Sequence, residues 1–354
     1  MLNDRSTVVF YVSGHGFGHA SRAIEVANAL VERRPELPVI IRSSVAPWLV
    51  ARTAKPGIEL SAAQVDTGVI QIDSLTLDAR GSIALAETFM SAIDERVEAE
   101  VDFLRASDAL LTVADLPALG IAAGAAAGLP AVALGNFTWD WIYEHYAGGA
   151  AVARQIGEIY SRATQALRLP MWGGFATLPR ITDLPFVARR SERDPGEVRD
   201  ALGIPRDARV VLASFGGYGV AELDVPAIEK IRGYHVLLPG MIDEDAMYRR
   251  GYRYEDLVRA VDVVMTKPGY GIISECLANG TALLYTSRGD FREYPVLVEA
   301  MPKFLRCAFI DQDDLFAGRW QPHLDALLAQ PEPPTRPAVN GADVAADILL
   351  TLIQ

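Results

Sequence analysis

The sequence predicts an α/β fold of two doubly wound halves, each a parallel sheet covered by helices. Three observations carry this reading. Short apolar runs of strand length alternate with helical patterns, and two of those runs are followed by Gly-rich turns that open a helix. The chain, at 354 residues, is also longer than one hydrophobic core readily serves. With 50% hydrophobic and 22% charged residues, it can bury ordinary cores.

Residues 7–13 (TVVFYVS) form an apolar strand pattern. The turn from Gly14 to Gly18 then leads into a helix over 20–32, where Ile24, Ala27, Leu30 and Val31 recur at helical spacing. Strands follow at 38–43, 109–114 and 131–134, with helices between them. The segment 59–77 alternates only partly and reads as an insertion carrying a binding loop, ahead of a long helix over about 82–105. The Pro-, Arg- and Asp-rich stretch 179–209 reads as a linker with one short helix. The second half repeats the pattern, with strands at 209–214, 234–238, 262–266 and 282–286. Its helices fall after the Gly216-Gly217 turn, at 254–260, at 272–279 and from about 312 onward. The expected domains are 1–186 and 187–338, with 339–354 an amphipathic helix placed to pack back on the first.

A formal charge of −12 supplies no phosphate-backbone footprint, so nucleic acid is not an expected partner. Small anions stay open, because backbone N–H groups at a helix N-terminus hold a phosphate without net charge. The start lacks the basic-then-apolar pattern of a secretion signal, and no uncharged run approaches the roughly 20 residues that span a bilayer. A cytoplasmic protein without a transmembrane segment is expected, and a homodimer is compatible with the sequence. Cys276 and Cys307 sit in apolar surroundings and read as buried reduced thiols.

Two clusters carry the chemistry. In Gly14-His15-Gly16-Phe17-Gly18-His19, glycines let the chain turn sharply off the strand and let a ligand approach the backbone at Gly16 and Gly18. The histidines stand at the carboxyl end of a first strand, where open α/β sheets bind ligands. His19, with His15 and Asp115 as further candidates, suits a general base; packing within the turn is the alternative for both histidines, and a helix cap for Asp115. A metal site from the pair lacks a third ligand, and no cofactor is expected. In the second cluster, Lys267, Gly269, Tyr270 and Gly271 open a helix whose N-terminus can take a diphosphate, and Glu275 can accept from ribose hydroxyls. Ser214, Gly216 and Gly217 lie beside the same phosphates, and Asp290, Glu293 and Arg288 follow the next strand. On the first half, Asp66, Gln71, Asn136, Thr138, Trp139 and Asp140 place polar groups beside aromatic planes, as a sugar or another flat polar ligand requires. Filling of the domain interface is the alternative for the aromatics.

The arrangement resembles the GT-B glycosyltransferases, especially the branch that adds N-acetylglucosamine to lipid I. Gly14-His15-Gly16-Phe17-Gly18-His19 is similar to that branch's Gly-rich loop ending in a histidine, Ser274-Glu275 to its Ser-Glu donor pair, and Ser214-Phe215-Gly216-Gly217 to its second Gly-rich loop. A closer resemblance is to the glycosyltransferase-like N-terminal region of plant L-arabinokinases and its stand-alone bacterial relatives. It is carried by GHGFGHASR at 14–22, VDTGVIQIDSLTLD at 65–78, GNFTWDWIY at 135–143 and KPGYGIISE at 267–275, and it spans nearly the whole chain. A GHMP-type kinase domain has no counterpart here, so arabinose kinase activity is not implied. The resemblance implies two Rossmann-like domains facing across a cleft. It also implies a metal-independent transferase that takes a nucleotide sugar, uridine favoured, and a small-molecule acceptor. The alternatives are a nucleotide-sugar epimerase of the same fold and an inactive nucleotide-sugar binder.

Overall fold

A computed structural model describes residues 7–216 and 223–353. The chain divides into two compact units, one of residues 1–70, 77–187 and 338–354, the other of residues 71–76 and 188–337.

The first unit is built on β1 (Thr7–Val12), α1 (Gly16–Arg33), β2 (Val39–Ser43), α2 (Pro47–Thr53) and β3 (Ile58–Ala62). A short hairpin follows, β4 (Ile70–Gln71) and β5 (Leu77–Asp78), then α3 (Ala79–Ser91) and α4 (Ile93–Ala106). The unit continues with β6 (Ala109–Asp115), α5 (Ala118–Ala126), β7 (Ala131–Gly135), α6 (Trp139–His145), α7 (Ala150–Tyr160), β8 (Gln165–Arg168) and β9 (Ile181–Asp183). Its seven strands run in the order β3-β2-β1-β6-β7-β8-β9, and each neighbouring pair is parallel. All of β1 is buried, as expected for a central strand covered by helices on both faces, and its unbroken apolar run follows from that.

The second unit contains α8 (Pro195–Leu202), β10 (Arg209–Ala213), α9 (Val225–Ile228), β11 (Tyr234–Leu237), α10 (Glu244–Arg249), α11 (Tyr254–Ala260) and β12 (Val263–Thr266). It continues with α12 (Tyr270–Asn279), β13 (Ala282–Tyr285), α13 (Tyr294–Ala300), β14 (Cys307–Phe309), α14 (Gln312–Phe316) and α15 (Gln321–Leu328). The five strands run in the order β11-β10-β12-β13-β14, again all parallel. Val211, Val263, Met265, Leu284 and Trp320 lie in its core, and the Trp320 Nε1–H donates to Leu315 O at 2.8 Å, so the indole is buried without an orphaned donor.

The last helix, α16 (Gly341–Thr351), belongs to the first unit. It buries Ala342, Ala345, Ala346 and Leu349 and packs on α1, with Arg33 of α1 reaching Asp343 at 3.0 Å and Asp347 at 2.5 Å.

The structure differs from the sequence reading in several elements. The long helix expected over 82–105 is two helices that break at Ala92, where φ is −106° and ψ 20°. On either side of the break they have different partners, α3 packing on α7 and α4 on α5. The stretch expected as linker from 179 begins with β9, an exposed edge strand. Among the described residues the helix after the second Gly-rich turn is the short α9; Gly217 lies outside them. Strands β3, β8 and β9 lack a continuous apolar run and β14 is only three residues long, so periodicity did not mark them.

Candidate functional site

Each sheet has a switch point where the chain leaves a pair of adjacent strands in opposite directions, and such points open a crevice at the carboxyl ends of the strands. In the first unit this is β1 beside β6, so the turn after Val12 and the end of β6 at Asp115 come together. In the second unit it is β10 beside β12, which brings Ser214 and Lys267 to one edge.

At the first switch point Gly16, with φ of +72°, lets the chain turn into α1; a Cβ there would strain the backbone. The α1 spacing then puts His19 and Arg22 on one face, three residues apart. His19 Nδ1 lies 2.9 Å from Asp115 Oδ1. Arg22 donates to Asp115 twice, from Nε to Oδ2 at 2.7 Å and from Nη2 to Oδ1 at 2.6 Å, and also to Asn136 Oδ1. Arg22, Asp115 and Asn136 are buried. Burial alone would raise the Asp115 pKa, but the Arg22 charge and hydrogen bonds, with His19, hold it below the usual carboxylate value. His19 Nδ1 thus lies between the ionised Asp115 carboxylate and Arg22 Nη2, 3.1 Å away. In the tautomer that donates from Nδ1 to Asp115, the imidazole lone pair is on Nε2. Leu116, directly after Asp115, is a buried non-glycine residue at φ +76°, a strained position of the kind that surrounding structure must impose. Leu116 O accepts from the Tyr160 hydroxyl at 2.6 Å.

Asp66 belongs to the same neighbourhood. Its Oδ2 accepts from Trp139 Nε1 at 3.1 Å, and Ser13 donates to it as well. Desolvation pushes its pKa up to about 6, against the pull of Ser13, His19 and Trp139. Asp66 and Trp139 line a small pocket of about 20 Å³, partly open to solvent, together with Thr67, Phe89, Met90 and Tyr143. His15 is edge-on to the Trp139 ring at 6.0 Å. Gly68 closes on His15, since a Cβ there would meet the His15 side chain, Cβ at 2.7 Å and the ring at 2.8 Å. Thr138 and Asp140 are structural by comparison. Thr138 precedes α6, and its hydroxyl accepts from Phe175 N at 3.4 Å; Asp140 accepts from Trp141 N and the Thr177 hydroxyl. Gly18 is exposed at the start of α1, with nothing within 4 Å of a Cβ placed there.

Gln71, expected beside Asp66, lies instead in the second unit, because residues 71–76 at the hairpin tip belong there. Its Oε1 accepts from Lys267 Nζ at 3.1 Å, and Ser74 Oγ donates to Phe215 O at 2.7 Å. Desolvation, reinforced by the Arg288 charge and opposed by Asp73, pushes the Lys267 amine down to about 7. Arg288 donates to Pro268 O at 3.1 Å, lies 3.5 Å from Glu293 Oε2 and covers the Phe291 ring at 4.1 Å. Gly269 is the N-cap of α12 and Tyr270 its first residue, buried. Ser214 Oγ pairs with the Tyr254 hydroxyl at 2.7 Å, and Gly216 ends the described turn at φ +75°. Ser274 is turned back on its own helix, donating to Gly271 O at 2.8 Å. Asp290 is exposed.

Glu275, expected to face a ribose, is buried, and its Oε1 accepts from Arg189 Nε at 2.7 Å and from Arg189 Nη2. Arg189 also lies 3.6 Å from Glu255. Sequence reasoning gave no role to Arg22, Ser13 or Arg189. For Arg22 a signal existed, the three-residue spacing from His19 on one helix; Arg189 meets Glu275 across 86 residues, which no local pattern reveals.

No family model matches the sequence. The chain is 31% identical to an L-arabinokinase of Arabidopsis thaliana over 96% of its own length. That match covers 34% of the plant protein, so the chain spans about a third of this relative. Among solved structures, the glycotransferase of kitacinnamycin superposes with a TM-score of 0.65 at 17% identity, covering 99% of this chain and 100% of that one. Medicago truncatula UGT71G1 complexed with UDP-glucose gives 0.63 at 12%, covering 99% of each chain. A UDP-glucose:anthocyanidin 3-O-glucosyltransferase in complex with UDP gives 0.58 at 12%, covering 100% of this chain and 94% of that one. The chain thus has the GT-B glycosyltransferase fold, built of two Rossmann-like domains, and is similar over nearly its whole length to about a third of a plant L-arabinokinase.

Proposed function

We propose that this protein is a glycosyltransferase that moves a hexosyl or pentosyl group from a nucleoside diphosphate sugar to a small-molecule acceptor. The observation that carries the reading is the buried His19–Asp115 pair, 2.9 Å apart at the switch point of the first sheet. Asp115 fixes the ring and stabilises the imidazolium that forms when Nε2 takes the proton of an acceptor hydroxyl. The acceptor oxygen then bonds to the anomeric carbon as the bond to the diphosphate breaks. In the second unit, Lys267, Arg288 and the N-terminus of α12 meet the charge of the leaving diphosphate, the role a metal ion has elsewhere. The UDP complexes among the structural neighbours favour uridine in the donor.

The test is turnover of a nucleotide sugar with an acceptor panel by wild type and His19→Ala. Loss of general-base catalysis is expected to lower kcat by roughly 10²–10⁴-fold with little change in donor affinity. Unchanged turnover in the variant removes His19 from the mechanism. Conversion of the donor sugar without any acceptor identifies an epimerase instead.

A further inference from the structure

In the second unit, three strand ends meet the hairpin tip of residues 71–76. After β12, Lys267 Nζ donates to Gln71 Oε1 at 3.1 Å. After β10, Phe215 O accepts from the buried Ser74 hydroxyl at 2.7 Å. After β13, Gly289 stands at φ +73°, and a Cβ on it would meet Leu75 O at 2.9 Å, so any larger residue there would push the tip away. The tip is also braced from within, because Asp73 Oδ1 accepts from Leu75 N at 2.7 Å and from Thr76 N at 2.8 Å. The carboxyl edge of a parallel sheet is where ligands dock, and the tip fixes Gln71 on that edge.

The Gln71 carbonyl is a neutral partner for a partly buried ammonium. Among the described residues no carboxylate lies within ion-pair distance of Lys267 Nζ. The charged groups that act on it are Arg288, which repels it, and Asp73, which is exposed and spends Oδ1 on its own turn. A desolvated cation normally has an anion beside it. A glutamate at position 71 would supply one, pairing with Lys267 and repelling a phosphate; the amide orients the ammonium without neutralising it.

We infer that Gln71 is a positioning residue of the diphosphate site, its side-chain carbonyl holding the Lys267 ammonium at the strand edge and leaving the charge for phosphate oxygens. The identity of the anion rests on the proposed donor site; the hold on the amine does not.

The experiment has two readouts on the full chain, in wild type, Gln71→Glu and Gln71→Leu. The first is calorimetric titration with UDP and with uridine, which lacks the phosphates. Gln71→Glu is expected to weaken UDP by roughly tenfold or more and to leave uridine unchanged. Gln71→Leu, which removes the acceptor without adding charge, is expected to weaken UDP only a few-fold, as for one hydrogen bond. The second readout, taken without nucleotide, is the pH profile of Lys267 acetylation by acetic anhydride, followed by mass spectrometry. Its midpoint in wild type is expected near pH 7, and Gln71→Glu is expected to raise it by roughly one unit or more, since a carboxylate favours the charged amine. An unchanged midpoint in Gln71→Glu, unchanged UDP affinity in either variant, or a loss in Gln71→Leu as large as in Gln71→Glu overturns the inference. The last outcome would mark a merely structural residue, because glutamate is closer to glutamine in shape than leucine is. If Gln71→Glu does not fold, UDP against uridine in Gln71→Leu decides the matter. Wild type binding UDP no more tightly than uridine removes instead the donor reading and the ligand it names for Lys267, while the acetylation profile still decides whether Gln71 holds the amine.

Discussion

Arg22 binds Asp115 through two parallel N–H donors, and this is what allows a carboxylate to sit buried at the end of β6. Removing one partner of such a pair leaves an uncompensated charge and costs about 3–5 kcal/mol. Arg22→Met is therefore expected to lower the melting temperature strongly at neutral pH. Arg22→Lys is expected to recover little, because an ammonium cannot reproduce the fork; full recovery by lysine would show that charge alone matters. Asp66 acts in the opposite sense. Its pKa is raised from the ordinary 3.8 to about 6, so between these values the native state holds a proton that the unfolded chain has released. Stability then falls as pH rises through that window, and the cost, on the order of 2–3 kcal/mol at most, is complete above about pH 6. Chemical denaturation of wild type and Asp66→Asn from pH 4 to 8 checks this: the variant is expected to lose that slope and to gain stability most above pH 6. These side-chain roles were only partly legible. His19 and Asp115 were marked by their position after a strand, and Asp66 and Trp139 by polar groups beside aromatic residues, whereas the pairings of Arg22 with Asp115 and of Trp139 with Asp66 join segments distant in sequence.

At the scale of elements, the two Gly-rich turns and the helices they open were readable because strand, turn and helix are consecutive and each has its own local signature. The hairpin was not. Its residues 70–78 continue an N-terminal segment, yet the tip at 71–76 belongs to the second unit, and there Gln71 supports Lys267 and Ser74 holds Phe215 O. Polar residues on a short β-like segment say nothing of which unit they join. The closing helix α16 was legible from its amphipathic spacing, and its stability contribution follows from burial. Leu349 is fully buried on it, so Leu349→Ala is expected to cost about 2–5 kcal/mol, read as a shift in the denaturation midpoint. The surface pairs of Arg33 with Asp343 and Asp347 are partly exposed and contribute well below that. A loss under 1 kcal/mol for Leu349→Ala would mean that α16 docks only loosely.

For the whole molecule, the assignment of donor chemistry to the second unit makes a regional prediction. Saturating UDP is expected to slow amide exchange in that unit around 214–216, 267–275 and 287–293, and also at residues 71–76, while β6 and β7 are unchanged. Protection confined to the first unit would reverse the assignment. The sequence by itself determined the α/β class, the parallel strands, the Gly-rich turns and the presence of His19 at a strand end. Hydrophobic periodicity and turn chemistry are local, and strand ends inherit their position from them. Only the tertiary structure decided that Asp115 is held by Arg22, that Glu275 is engaged by Arg189, that Gln71 serves Lys267, and that Asp66 is desolvated beside the Trp139 indole. Each of these depends on which strands lie side by side and on how far a carboxylate is removed from water. Both are consequences of packing between residues from about 70 to 200 positions apart.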